Sequence, residues 1–240
     1  MQKPRHFKIY QSRWHLAFSI FLIIVPFIFL LLFSRFAEIS TAKLFEDLFS
    51  STYRMIVSYL IAAFLGWALA VLFYRGKKSA VALPLFDVLQ SFPAFAALPI
   101  ATFFWGPSDF TVIFFLIITI IWPIFFSIIS SLKLVRHDWQ EVTEVFGLSG
   151  IPYFKYFLIP ISMPGLITGS IVGLGEGWEA LIATEMIVNS SVGLGSFFQS
   201  FSHNLTITAL GILGFLLLIF SINKLVWLSL LEWSHKKMES

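Results

Sequence analysis

The sequence predicts an all-α, polytopic membrane protein with six transmembrane helices and with both termini in the cytoplasm. Of its 240 residues, 58% are hydrophobic and 12% are charged, and the mean hydropathy is +0.88. A soluble domain carries about 25% charged residues, so too few charges remain to cover a globule that faces water. Apolar runs of about 20 residues, the length that crosses a bilayer, recur along the chain. Lys and Arg concentrate in alternate loops, as in multi-pass membrane proteins.

Six apolar runs predict the membrane helices. The first lies between Arg13 and Arg35, and the second lies between Arg54 and Arg75. None of the runs alternates strictly between apolar and polar residues over about ten residues, which argues against a membrane barrel. The predicted helices are residues 14–34, 55–74, 81–105, 110–132, 161–187 and 206–231.

The first run has an alternative interpretation as a signal peptide, because the basic tail 1–13 precedes it. Its 21 residues exceed the apolar region of roughly 7–15 residues that signal peptides use. No A-x-A cleavage site follows the run. These features favour an uncleaved membrane helix and a cytoplasmic tail.

Positive charges predict the orientation, because cytoplasmic loops carry an excess of Lys and Arg. Three of the 16 Lys and Arg residues lie in the first loop, and the third and fifth loops have none. Residues 136–160 and both termini are therefore predicted to be cytoplasmic. Residues 37–50 have apolar side chains at helical spacing and are predicted to lie along the outer interface. The positive charges on the inner side are Lys3, Arg5, Lys8, Arg13, Arg75, Lys77, Lys78, Lys133, Arg136, Lys155, Lys236 and Lys237, with Lys224 near the inner end of its helix.

The segment between the fourth and fifth runs is polar and tightly punctuated. Residues 138–146 are predicted to form a short helix, and Gly147 is a natural residue to end it. Glu141, Glu144 and Leu148 share one face of this helix by their spacing.

A second short helix is predicted to follow. Ser149 and Gly150 favour a turn, and Pro152 favours the first turn of a helix. Pro160 and Pro164 restrict the backbone before the fifth run. A compact pair of helices that projects into the cytoplasm suits docking to a soluble partner, and the alternative is an ordinary ordered loop.

The spacing of five residues in this segment resembles a known motif. Glu141, Gly147, Phe157, Ile159 and Pro160 follow the order E-x-x-x-x-x-G, nine residues, then apolar-x-apolar-P. This order resembles the EAA motif of permease subunits in ATP-binding-cassette (ABC) importers. The two residues after the first Glu are Val and Thr in this chain, where the motif has alanines.

Two further stretches resemble the nitrate/sulfonate/taurine-type permeases of this class. LQSFPAFAALPIATFFWG is similar to their third helix. LIPISMPGLITGSIVGLGEGWEALIATEM is similar to their fifth helix, with Trp178 and, seven residues later, Glu185. SVGLG follows, as in the family. The resemblance covers roughly residues 50–230.

The resemblance implies the type I ABC importer permease fold in a bacterial inner membrane. It implies a second permease subunit, identical or a sister chain, two cytoplasmic ATPase subunits and an extracytoplasmic binding protein. ATP and Mg²⁺ would bind to the ATPase, since this chain has no G-x-x-x-x-G-K-[ST] loop. Glu141 would contact the ATPase and Gly147 would form the turn. The predicted coupling residues are Glu141, Glu144, Gly147, Leu148 and Pro160.

The fifth run contains three carboxylates, Glu176, Glu179 and Glu185. A charge at the bilayer centre costs about 2.5–3.5 kcal/mol by insertion scales, so such groups usually face the protein interior. Glu176 and Glu179 are one turn apart, and Glu185 lies on the opposite side of the helix. Structural, pathway-lining and proton-relay roles all stay open for them. If Glu176 or Glu179 lines the pathway, its charge disfavours anions and favours a neutral or cationic solute.

Three other residues are candidates for the pathway. Pro93 and Pro99 interrupt the third run, and broken helices often border a pathway, although these prolines also explain a simple kink. Trp178 fits either a packing role or a contact with the solute.

Two other classes of function remain as alternatives. An ATPase-independent secondary transporter or channel is disfavoured, because the two halves of the chain show no inverted repeat. A membrane-embedded enzyme has no support, because no metal spacing such as H-E-x-x-H occurs and no nucleophile–base pattern is present. The net charge of +3 is too small to indicate nucleic-acid binding.

Overall fold

The computed structural model describes residues 13–134, 143, 145–227 and 230, with side chains at these positions except 13–19 and 78. Helices form most of the described residues, and no strand occurs among them, which confirms the all-α prediction. The helices are α1 Arg13–Phe36, α2 Thr41–Phe73, α3 Gly76–Gln90, α4 Ala94–Trp105, α5 Asp109–Lys133, α6 Gly150–Val188, α7 Leu194–Ser200 and α8 Leu205–Trp227.

Several helices are suited to crossing a bilayer. Four of those in the described chain, α2, α5, α6 and α8, are long and apolar enough for this. α3 and α4 bend by 76° at a short break and make a fifth candidate span. In α1, Ile20–Phe36 is apolar as well. The sixth span and the cytoplasmic position of the termini stay predictions.

α2 begins earlier than the sequence predicted. The segment 37–50 was expected to lie separately along the outer interface, but the helix is continuous from Thr41 to Phe73. The physical reason is the absence of Gly and Pro between Thr41 and Gly66, so nothing interrupts the hydrogen-bonded ladder. Its 33 residues span roughly 50 Å at 1.5 Å per residue.

α6 is longer than predicted for the same region. The second of two short helices was expected to be separate from the fifth span, but Gly150–Val188 is one continuous helix. The first short helix, 138–146, lies mostly outside the described residues. Pro160 lacks an amide hydrogen, and its ring crowds the carbonyl four residues earlier. A π turn over Phe154–Leu158 widens the helix at this point. The helix therefore passes Pro160 and Pro164 without a break.

α5 packs between α2 and α6. α2 runs parallel to it, since Arg54 pairs with Asp109 and, further along both helices, a Cβ at Gly66 would lie 3.1 Å from the Ile121 carbonyl oxygen. α6 runs antiparallel to α5 and approaches it backbone to backbone. A Cβ at Gly165 would lie 2.7 Å from the Ser127 carbonyl oxygen, and one at Gly169 would lie 2.6 Å from the Ile124 Cα. Such small residues four apart let two membrane helices approach closely.

A substitution at Gly169 is expected to separate these helices. Gly169→Ala places a methyl group within 2.6 Å of the α5 backbone, and overpacking of this kind costs about 1–3 kcal/mol. The thermal unfolding midpoint of the purified protein in detergent should fall. Gly175→Ala is the matched control in the same helix, because a Cβ at Gly175 meets nothing within 4 Å. Equal midpoints for the two variants would contradict the close packing of α5 and α6.

Exposed positive charges gather at one end of the group formed by α2, α5 and α6. The Tyr74 hydroxyl lies 3.2 Å from the Tyr153 hydroxyl, so the C-terminal end of α2 meets the N-terminal end of α6. α5 ends on the same side, because it runs parallel to α2. We call this side the basic end; its exposed cations are Arg75, Lys77, Lys133 and Lys155.

Candidate functional site

An open cavity of about 590 Å³ lies where the break between α3 and α4 faces α5 and α6. Its volume is within the roughly 300–1,000 Å³ that small-molecule sites occupy. Four aromatic rings from three parts of the chain line it: Phe92, Phe95, Trp122 and Phe126. The 76° bend between α3 and α4 creates this space, because a straight helix would run along α5 and leave no cavity.

The polar groups of the cavity are few. Gln90, Thr119 and Ser127 supply neutral donors and acceptors, and Glu176 on α6 supplies the carboxylate. Among the described residues, none forms a hydrogen bond or an ion pair with Glu176. Its carboxylate is therefore available to a solute in the cavity.

A second open cavity, of about 410 Å³, adjoins the first one. The two share Phe126 and Ser127, and the second extends towards Leu134 near the basic end. Its polar lining consists of hydroxyl groups: Ser127, Ser130, Ser131 and Thr168. Together the two cavities form a groove between α5 and α6 that leads from Glu176 to the basic end.

The other predicted pathway residues lie in different surroundings. Pro93 is at the break and lines the first cavity, whereas Pro99 lies inside α4 and outside the cavity lining. Trp178 is buried and meets Phe215 edge to face, with ring centroids 5.1 Å apart. Glu179 is exposed and does not line the cavity. Only two of the predicted residues, Pro93 and Glu176, are thus brought together.

Glu185 lies fully buried near the end of α6 that is remote from the basic end. Arg54 pairs with it at 2.5 Å, and the Ser51 hydroxyl lies 2.8 and 2.9 Å from its two oxygens. The same guanidinium donates to the Val192 carbonyl at 2.8 Å and pairs with Asp109 at 2.7 Å. Arg54 therefore joins α2, α5, α6 and the loop after α6. This pairing supports a structural role for Glu185.

The loop 191–195 closes over this carboxylate. The backbone N–H of Gly195 donates to Glu185 at 2.8 Å, and that of Gly193 donates to Asp47 at 2.9 Å. Gly193 has φ +139, and a Cβ there would lie 2.5 Å from a Glu185 oxygen. Both glycines of the SVGLG stretch are thus needed for the loop to lie this close to Glu185.

The partners of Glu185 were not predicted from the sequence. Arg54 was expected at the boundary of the second run and among the three cations of the first loop, and Asp47 and Ser51 lie in or beside the segment 37–50 that was expected along the outer interface. These three residues are spaced i, i+4, i+7, so they form one polar face of a helix. Ionisable groups within a membrane span usually pair with other polar groups. A polar face on one helix and a carboxylate on another therefore predict that the two are in contact.

The predicted coupling segment, 136–160, contains a turn at the basic end. Gly147 has φ +63, and the Leu148 N–H donates to the Thr143 carbonyl at 2.9 Å. This is the hydrogen bond of a Schellman helix end, whose left-handed residue is usually Gly. Glu141 and Glu144 lie outside the described residues.

Apolar side chains project on both sides of this turn. Val145, Phe146 and Ile151 are 83%, 76% and 82% exposed. Pro160 is exposed as well, further along α6. Clustered exposed apolar side chains mark a surface that meets a partner or a membrane.

Comparison with known proteins gives a consistent result. Residues 62–231 match the family described as binding-protein-dependent transport system inner membrane component. The nitrate import permease protein NrtB of Leptolyngbya laminosa is 35% identical over 182 residues, which are 72% of this chain and 65% of that protein. The bicarbonate transport system permease protein CmpB of Synechococcus elongatus is 28% identical over 72% of this chain and 66% of its own length.

A third relative is the taurine transport system permease protein TauC of Escherichia coli, 27% identical over 49% of this chain and 42% of its own length. The chain thus spans less than two thirds of the length of each of these relatives. The family match covers more than half of this chain and includes the cavity, Glu185 and the Gly147 turn. The chain therefore belongs to the family described as binding-protein-dependent transport system inner membrane component.

Proposed function

We propose that this chain forms the translocation pathway of an ATP-driven importer and couples it to a cytoplasmic ATPase. The observation that carries the proposal is the arrangement of α6. This one helix begins beside the exposed turn at Gly147 and, further along, supplies Glu176 to the cavity. A partner that moves the turn therefore acts on the helix that lines the groove.

The proposed assembly is the one that the resemblance to ABC-importer permeases implies. Two permease subunits, two ATPase chains and an extracytoplasmic binding protein would work together. The basic end would face the cytoplasm, because positive charge concentrates there. ATP and Mg²⁺ would bind to the ATPase, and this chain would act as a transport subunit rather than as an enzyme.

The docking surface would combine the turn and its apolar side chains. Val145, Phe146 and Ile151 would enter an apolar groove on the ATPase, and burial there contributes about 25 cal/mol per Å² of apolar surface. Gly147 and Leu148 would hold the shape of the turn, Pro160 would stiffen the start of α6, and the predicted charged contacts would come from Glu141 and Glu144.

Co-expression with the ATPase gene from the same operon tests the proposal. We expect the ATPase to co-purify in equimolar amount and to hydrolyse ATP in proteoliposomes. Phe146→Asp should abolish co-purification, because it places a charge in the apolar contact. Phe146→Leu is the matched control, because it keeps an apolar side chain at the same position and should retain co-purification. Solute flux through the permease alone, without any ATPase, would instead support a secondary transporter or channel.

A further inference from the structure

The cavity beside Glu176 has a distinct electrostatic character. Glu176 gives it one negative charge, and no Lys, Arg or His is among the described residues that line it. The neighbouring Glu179 adds a second negative charge to the same exposed stretch of α6. The cavity therefore attracts cations and repels anions.

The apolar part of the wall fits the same kind of solute. Phe92 comes from the break between α3 and α4, Phe95 comes from the first turn of α4, and Trp122 and Phe126 come from α5. The faces of aromatic rings carry partial negative charge and attract cations, most strongly when the site excludes water. A carboxylate surrounded by aromatic rings is a known way to bind a positively charged nitrogen and an apolar body together.

We infer that the cavity receives a small organic cation, a protonated or quaternary nitrogen attached to an apolar or aromatic body. This inference rests on the proposed permease function, because it names the solute class for that pathway. The nitrogen would lie beside Glu176, and the apolar body would lie among the aromatic rings. Gln90 and Thr119 would supply hydrogen bonds that fix its orientation.

The inference separates this chain from relatives whose names specify anions. Nitrate and bicarbonate are the solutes that the names of two relatives print. An unpaired carboxylate in the pathway opposes the passage of such anions. Similarity of fold therefore does not carry the substrate over, since the groups that line the cavity decide which solute it accepts.

Cysteine labelling tests the inference directly. The chain has no Cys, so Ala94→Cys, at a lining residue without a proposed binding role, places a single thiol in the cavity wall without a background signal. The purified full-length chain is held in phosphatidylglycerol nanodiscs, and the thiol is labelled with neutral methyl methanethiosulfonate. Benzyltrimethylammonium, a permanent cation, should slow the labelling at least threefold at millimolar concentration. Benzenesulfonate, an anion of similar size, should leave the labelling rate unchanged.

Two matched variants identify the group responsible. Glu176→Gln should abolish the protection by benzyltrimethylammonium, because it removes the charge in the cavity. Glu179→Gln removes an equal charge one turn away, outside the cavity lining, and should retain most of the protection. Equal protection by the cation and the sulfonate, or equal behaviour of the two variants, would overturn the inference. A thiol that does not react at all would show a closed cavity and would also overturn it.

A lipid headgroup has the same chemistry as the inferred solute. Nanodiscs that contain phosphatidylethanolamine distinguish the two sources. The labelling rate without a probe should be the same in both lipids; slower labelling with phosphatidylethanolamine alone would assign the cavity to a headgroup and overturn the inference. Labelling requires no ATP hydrolysis, so this result is separate from the co-purification that tests the permease function.

Discussion

Arg54→Ala is expected to cause the largest loss of stability of any change considered for this chain. The substitution leaves Glu185, which is 0% exposed, without its positive partner. Removing one member of a buried ion pair costs about 3–5 kcal/mol, because the remaining charge stays buried and unpaired. The loop 191–195 also loses the hydrogen bond from Arg54 to the Val192 carbonyl. The measurement is the thermal unfolding midpoint and the yield of folded protein in detergent.

A double variant separates charge from packing. Arg54→Met combined with Glu185→Met removes both charges and keeps side chains of similar length. Replacing a whole buried pair by apolar groups is often neutral or stabilising, so most of the lost stability should return. Lys43→Ala is a control for an exposed pair, since Lys43 meets Asp47 at 3.0 Å but is 43% exposed, and it should cost about 0–1 kcal/mol. A double variant as unstable as Arg54→Ala would show that packing, not charge, dominates this cluster.

Gly147→Arg is expected to abolish transport and solute-stimulated ATP hydrolysis while the protein still inserts into the membrane. Gly147 has φ +63, a conformation that costs other L-residues about 1–2 kcal/mol. The long charged side chain would also project between the apolar groups of the proposed docking surface. Uptake into proteoliposomes and stimulated ATPase activity are the measurements, with membrane yield as the check on insertion. Gly147→Asp should act in the same direction, with less backbone strain because Asp tolerates this conformation better.

Gly76→Arg is the matched control for backbone strain. Gly76 also has a positive φ, +70, and a Cβ there also meets nothing within 4 Å. It is the first residue of α3, at the basic end, and it is not part of the turn at Gly147. Normal transport by Gly147→Arg would show the docking assignment to be wrong, and equal loss in both variants would assign the effect to strain alone.

The all-helical architecture followed from the sequence because its signals are local. Composition and apolar runs identified the regions of α2, α5, α6 and α8 as membrane helices, and the structure confirms that each is long and apolar enough to cross a bilayer. Pro93 was correctly placed at an interruption of the third run, since the break between α3 and α4 includes it. These features depend on neighbouring residues only.

Helix boundaries near the prolines and the charged segment were less predictable. Pro160 suggested a boundary, but the π turn at Phe154–Leu158 lets the helix pass it. Lys43, Glu46 and Asp47 suggested a surface loop, but ion pairs one turn apart, such as Lys43 with Asp47, stabilise a helix. Both outcomes depend on geometry that polarity patterns do not encode.

In the candidate site, too, local features were predictable from the sequence and contacts between distant segments were not. The angle between residues on α6 correctly placed Glu185 on the opposite side from Glu176, so it did not join the cavity. The pairing of Glu185 with Arg54 could not be found in this way, because Arg54 comes from a distant part of the chain. The cavity itself also depends on the 76° bend between α3 and α4, which sequence does not specify.

The length of α6 has a mechanical consequence. At 1.5 Å per residue, its 39 residues reach roughly 58 Å, so the helix is a single lever. The glycine-rich side of α6 packs against α5 near the middle of the helix, so α6 would pivot about α5. In the proposed importer, a force at Gly150 would tilt the part of α6 that carries Glu176, while the ion pair with Arg54 holds the remote end of the helix at Glu185. Bending at the π turn Phe154–Leu158 would reduce the displacement that reaches Glu176.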